Sequence, residues 1–262
     1  MTSSIPLSGC DRQDFVRDGV LIRRHFAPSS LVQPAADLVD TWYRDRYRAT
    51  DLSDYTNRTF APELTEHPAL LALYHDSGLA RIVDQLLSPA PTIPVATAQV
   101  QIRLPDAAPQ PAKAMHVDGV ACPHHDPAEL RTFTLIAGVM LSGIPDADAG
   151  ALHYLPGGHH RMAAWFSHEW SLGDHAQTPH DVAEQTGTPF LAEPGDAIVM
   201  HHLVPHRVGT NTSSTPRTMV YFRVHHHDHH RLALAALRDP WAEYPSLRPL
   251  AERQGPADSG TL

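Results

Sequence analysis

"EPGDAIVMHHLVPHRVGTNTSSTPR", residues 193 to 217, runs directly into "TMVYFRV", residues 218 to 224. Val, Ile, Met, Tyr and Phe gather in two short runs, and Pro, Gly, Asn, Thr and Ser collect between them, which reads as strands joined by a turn. His206 opens the strand before the turn, and Arg217 follows eleven residues later. If the "TNTSSTP" turn closes an antiparallel pair, Arg217 returns beside His206 and presents a guanidinium able to fork onto a carboxylate.

The same texture extends upstream. From Pro94 onward, "TAQVQIRL", "TFTLIAGVML" and "GALHYLP" alternate with Pro, Gly and Asp clusters, whereas the preceding residues have helical spacing. Ser8 and Asp11 form a capping box for a short helix that stops at Gly19, and "VLIRRHF" after it reads as a strand. Leu31, Ala35, Leu38, Val39 and Trp42 mark a second helix, and "HPALLALYHDSGLARIVDQLL" a helical region broken near Gly78. The expectation is one domain over residues 1–262, mostly β with flanking helices. It has a helical part at about 8–90, a core of antiparallel strands at about 94–226, and an irregular insertion at about 157–187 with the position of a lid.

Composition narrows the functions. The chain has 262 residues and a formal charge of -9, which gives a polyanion no general attraction, so nucleic acid is not the expected partner. No apolar run is long enough to cross a bilayer. "LSGC" ending at Cys10 has the form of a lipoprotein box but lacks a basic, apolar lead, and Cys10 and Cys122 are expected to be reduced thiols in a cytoplasmic protein. No glycine-rich phosphate loop or G-x-S-x-G elbow is present.

The chemistry concentrates in "AMHVDGVAC", residues 114 to 122. On a strand, His116 and Asp118 share one face while Met115 and Val117 take the other, and a divalent metal is a natural partner for an inward carboxylate. His206 is the third ligand expected, with His201 and His202 as rivals. Two histidines and one carboxylate with open positions suit Fe(II) that must bind oxygen.

These segments resemble the phytanoyl-CoA dioxygenase-like family of iron- and 2-oxoglutarate-dependent oxygenases. The resemblance rests on "FVRDGVLIRRHF", "HVDG", "GALHYLPGGHH" and "GDAIVMHHLVPHRVGTN" ending in Arg217, and it spans nearly the whole chain. It implies a double-stranded β-helix (a jelly-roll, cupin-like core), Fe(II) on His116, Asp118 and His206, and 2-oxoglutarate with its distal carboxylate on Arg217. By the same resemblance Thr134 contacts the cosubstrate, and Gln99 or Gln101 adds a polar contact. The implied reaction consumes O2 and 2-oxoglutarate, releases succinate and carbon dioxide, and oxidises a substrate C–H bond. Gly158 and Val208 stand where relatives carry serine. The halogenating relatives lack the carboxylate, so Asp118 points to hydroxylation.

For the substrate, residues 47–64 and the insertion offer walls. Arg58 and Arg161 are candidates to pair with a substrate carboxylate, Trp165 to supply an aromatic surface, and His159 and His160 to contact substrate from a loop. "HHHDHH" at 225–230 is expected at a solvated exit, and Lys113, the sole lysine, on a solvated face. A small free metabolite of bacterial specialised metabolism is preferred to an acyl-CoA. The competing readings are an acyl-CoA hydroxylase, a cupin that binds metal or ligand without turnover, and a zinc hydrolase.

Overall fold

The structure, a computed structural model, describes residues 7–107, 113–122 and 125–254. Helices come first: α1 (Gly9–Asp18), α2 (Ser29–Arg46), α3 (Leu52–Asn57), α4 (Pro68–His75) and α5 (Leu79–Leu87), with strand β1 (Val20–Arg23) after α1. The Ser8–Asp11 capping box forms as read, and Gly19 ends α1 in the left-handed conformation with φ 71°. A side chain there would collide with Val204 and His159.

The later strands are β2 (Gln99–Arg103), β3 (Leu135–Met140), β4 (Leu152–Tyr154), β5 (Thr188–Phe190), β6 (Ala197–His201), β7 (His206–Val208) and β8 (Arg217–Val224). They form two antiparallel sheets, one of five strands in the order β1-β6-β3-β8-β2 and one of three in the order β5-β4-β7. Between β4 and β5 stand α6 (Gly158–His168) and α7 (His180–Ala183), and α8 (His229–Arg238) and α9 (Arg248–Gln254) follow β8.

Strand alternation sorts the large sheet into two faces. Leu135, Ala137, Val139, Ala197, Val199, Val220, Phe222 and Val224 pack outward against the helices, together with Leu70, Leu73, Ile82 and Leu86. Ile136, Met140, Ile198, Met200, Met219 and Tyr221 turn inward toward Leu152 and Phe190 of the small sheet. Burying both faces of the sheet explains why its central strand β3 is apolar at every position, so its two roles are invisible to a simple polar alternation.

Two expectations change here. His206 and Arg217 do not sit on a hairpin: β7 pairs with β4 in the small sheet, while β8 pairs with β2 and β3 in the large one. The turn carries the chain from one sheet to the other, where β8 lies between β3, with six register pairs, and β2, with five. The insertion at 157–187, expected to be irregular, holds two helices packed behind the segment that carries His116 and Asp118. Met162, Trp165, Phe166 and Trp170 are buried in a third apolar cluster with Met115, Val117 and Val120, and α6 packs on α8.

Candidate active site

The metal segment is held in place from behind. The Met115 amide donates to Ala183, the Thr178 hydroxyl to the Met115 carbonyl, and the Gln177 side chain to the Val120 carbonyl. The apolar side chains of Met115 and Val117 therefore sink into the third cluster, and His116 and Asp118 face the opposite way. Only one bridge, His116 with His206, has strand geometry, and Asp118 already lies in the following turn. Gly119 supplies that turn at φ +82°, where a Cβ would meet the Arg131 and Thr132 backbone at 2.5–2.6 Å.

The ligand atoms of His116, Asp118 and His206 lie within 4.8 Å of one another. Nδ1 of His116 faces the Ala114 carbonyl at 3.3 Å and Nδ1 of His206 the Val204 carbonyl at 3.0 Å. A backbone carbonyl fixes the proton on Nδ1 and leaves Nε2 as a lone-pair donor toward the centre. Burial, and secondarily the neighbouring His206, lower the pKa of His116, which keeps the ring in this neutral form. Burial opposes ionisation of Asp118, but the charge and hydrogen bond of Arg223, with smaller contributions from the two imidazoles, outweigh it and bring the carboxyl to about 2.

One face of β8 completes the cavity. Arg217, Tyr221 and Arg223 all line it, across from Gln99, Gln101 and Arg103 of β2 and Ile136 of β3. Gly138 is the opening that lets Tyr221 cross β3, since a Cβ there would strike the Met219 and Tyr221 side chains. Arg217 is 2% exposed, and its Nε donates to the Gly150 carbonyl at 2.9 Å. Its two terminal nitrogens have no hydrogen-bond partner among the described residues, although the Tyr221 hydroxyl lies beside the guanidinium. Desolvation lowers the pKa of Arg217. Arg103 braces this end of the cavity through a two-point pair with Asp106, at 2.7 and 2.8 Å, and a bond to the Gly209 carbonyl.

The cavity, of about 680 Å³, thus gathers His116, Asp118, His206, Arg217, Gln99 and Gln101 from the sequence-based set, with Val208 also on its wall. The side-chain amides of Gln99 and Gln101 both donate to the Arg58 carbonyl. Lys113 is exposed, as expected of a solvated face, and also lines the cavity.

Other candidates lie elsewhere. Thr134 is fully buried just before β3, its hydroxyl accepting from the His226 amide and its carbonyl from Tyr244, so Ile136 takes the cavity position. Arg58 is exposed, and it meets the cavity-lining glutamines only through its backbone. Arg161 forms ion pairs with Glu169 and Asp181. Trp165 is buried against Phe166 and Trp170. His159 and His160 are helical, not loop residues, and both contact the Val16 carbonyl behind the large sheet. His201 and His202 turn toward Pro240 and Thr134, away from the centre, because Met200 takes the inward position on β6.

The histidine run at 225–230 is only partly solvated. His226 and His229 are buried, and His229 bonds Glu243 at 2.7 Å and Thr132 at 3.2 Å. His226, His227 and Asp228 lie close enough to hold an ion, but the His227 ring already pairs with Asp228, whose amide donates to His226.

Tyr221 and Arg223 escaped the sequence reading. The signal was present in the two-residue spacing of Arg217, Met219, Tyr221 and Arg223 along "RTMVYFRV", which puts all four on one strand face.

Many solved structures resemble this one, and three illustrate the likeness. SnoK, described as a non-heme alpha ketoglutarate dependent carbocyclase from nogalamycin biosynthesis, is 17% identical with a TM-score of 0.60, over 87% of this chain and 90% of that chain. EctD from S. alaskensis, solved with 2-oxoglutarate and 5-hydroxyectoine, is 16% identical with a TM-score of 0.61, over 86% and 78%. HygX from Streptomyces hygroscopicus, solved with iron bound, is 18% identical with a TM-score of 0.56, over 85% and 88%. These likenesses show the fold, a jelly-roll core. No curated protein sequence matches the chain. The phytanoyl-CoA dioxygenase (PhyH) family model matches residues 15–219, a span that includes the centre and Arg217, and the chain therefore belongs to this family of iron- and 2-oxoglutarate-dependent oxygenases.

Proposed function

We propose that the chain hydroxylates a C–H bond of a small organic metabolite, with His116, Asp118 and His206 holding Fe(II) and Arg217 seating the distal carboxylate of 2-oxoglutarate. The observation that carries this reading is the buried Arg217, whose terminal nitrogens lack partners. An interior cation with unmet donors is costly, and a carboxylate arriving on its two-pronged edge relieves that cost. The donor set agrees: two imidazoles and one carboxylate leave positions open for a chelating keto acid and oxygen.

When bound, iron supplies oxygen activation coupled to decarboxylation of 2-oxoglutarate to succinate and carbon dioxide. The residues of the chain orient and shield. Arg217 and Tyr221 fix one end of the keto acid, and Ile136, Leu152, Met200 and Val208 keep water from its apolar flank. Leu52, Thr56 and Asn57 of α3, with Gln99 and Gln101, line the remaining space, where the substrate would lie.

A cavity of about 680 Å³ suits a cosubstrate beside a small metabolite. The resemblance to SnoK supports a tailoring step in bacterial specialised metabolism, carried out by a single cytoplasmic domain. No helix among the described residues is long and apolar enough to cross a membrane.

Anaerobic addition of Fe(II) and then 2-oxoglutarate should produce the visible charge-transfer band of a chelated keto acid, followed by succinate when oxygen is admitted. Absence of the band with iron bound would sink the reading.

A further inference from the structure

Arg223 stands on the inward face of β8, six residues beyond Arg217 and opposite Ile136 of β3. Its Nη2 donates to Oδ2 of Asp118 at 3.0 Å, and its guanidinium lies over the ring of buried Phe133, 5.2 Å from the centroid. The other oxygen of Asp118, Oδ1, points to Nε2 of His116 at 3.7 Å, toward the centre. Among the described residues, no other side chain donates a hydrogen bond to this carboxylate.

We propose that Arg223 is a positioning residue that makes Asp118 a one-oxygen ligand. By occupying Oδ2, it turns Oδ1 alone toward the metal and prevents the carboxylate from closing on the ion with both oxygens. A carboxylate bound through two oxygens would consume a position that a two-point keto acid and oxygen need, so the restriction keeps the open face open. Phe133 holds the guanidinium in the plane that this single bond requires. The inference rests on the ligand set proposed above.

Charge and geometry pull in opposite directions here, which makes the test decisive. By charge alone, removing a cation beside a dication should tighten metal binding. If orientation dominates, removing it should weaken binding, and outer-shell partners of metal ligands typically account for about tenfold to a hundredfold in affinity.

The experiment titrates the full-length protein with Co(II), comparing wild type, Arg223→Ala, Arg223→Met and His206→Ala, with thermal melting as a check on folding. Arg223→Met keeps the apolar stem on Phe133 while deleting the donor. The expected result is weaker Co(II) binding, by about tenfold to a hundredfold, in both Arg223 variants with melting unchanged. Their visible Co(II) bands should also change as Oδ1 loses its fixed direction toward the ion. Binding equal to or tighter than wild type in Arg223→Met would overturn the proposal. If His206→Ala binds Co(II) as wild type does, the ligand set itself is wrong, a failure distinct from that of Arg223.

Discussion

Replacing Arg217 with methionine should separate stability from cosubstrate binding in a way that few substitutions do. The side chain is 2% exposed, with one bond to the Gly150 carbonyl and two terminal nitrogens without partners. Each unmet buried donor group costs about 1–3 kcal/mol, and a hydrogen bond made by a charged group returns about 1.5–3 kcal/mol. Deleting the guanidinium removes both unmet groups and one bond, so the protein without cosubstrate should gain about 1–2 kcal/mol. At about 2–4 °C per kcal/mol for a domain of this size, melting should rise by about 2–8 °C. Cosubstrate binding should move the other way. Losing one partner of a buried, hydrogen-bonded charge pair costs about 2–5 kcal/mol, or roughly 30- to 4,000-fold in the affinity of the metal-loaded protein for 2-oxoglutarate. Calorimetric titration of 2-oxoglutarate into Mn(II)-loaded protein, alongside thermal melts, measures both quantities. An affinity unchanged from wild type would refute the reasoning, because the guanidinium would then not be where the keto acid ends.

Three further outcomes follow from the packing. Burial lowers the pKa values of His159, His201 and His202, that of His201 to about 3. The unfolded chain takes up these protons near pH 6.5 and the folded one does not, so stability is full above that pH. It should fall by about 1.4 kcal/mol per pH unit for each such ring on acidification below it. Denaturant melts between pH 7 and pH 5 check this, and a flat profile would contradict the buried neutral cluster. Gly119→Ala should destabilise the protein by about 1–3 kcal/mol or more and weaken Co(II) binding, since φ is +82° and the added Cβ meets backbone at Arg131. Wild-type melting and metal affinity in that variant would show the turn to be unconstrained. Phe166→Ala should cost about 3–5 kcal/mol, because the ring is fully buried behind the metal segment, while leaving the 2-oxoglutarate KM of the folded enzyme near wild type. A large KM change without loss of stability would favour the lid reading of the insertion.

Much of the centre was legible because strand periodicity is local. His116 and Asp118 lie two apart with buried Met115 and Val117 between and before them, so one face carries the chemistry even though only a single bridge has strand geometry. The same periodicity along β8 marks Tyr221 and Arg223 once Arg217 is recognised. Thr134 shows the limit: its parity is right, but it stands two residues before the cavity-lining Ile136, and it ends up bonded to His226 and Tyr244. Parity says which way a side chain points and not how far along the barrel it sits.

By itself the sequence determined the ligand candidates, the family and the element types outside residues 157–187 and the helices after β8, since these depend on spacing within a few residues and on motif order. Tertiary structure alone decided that β7 and β8 belong to different sheets, that residues 157–187 brace the metal segment, and that a second arginine grips Asp118. Each of these turns on which distant segments bury one another, and the free energy of that choice is spread over contacts no short window of residues contains.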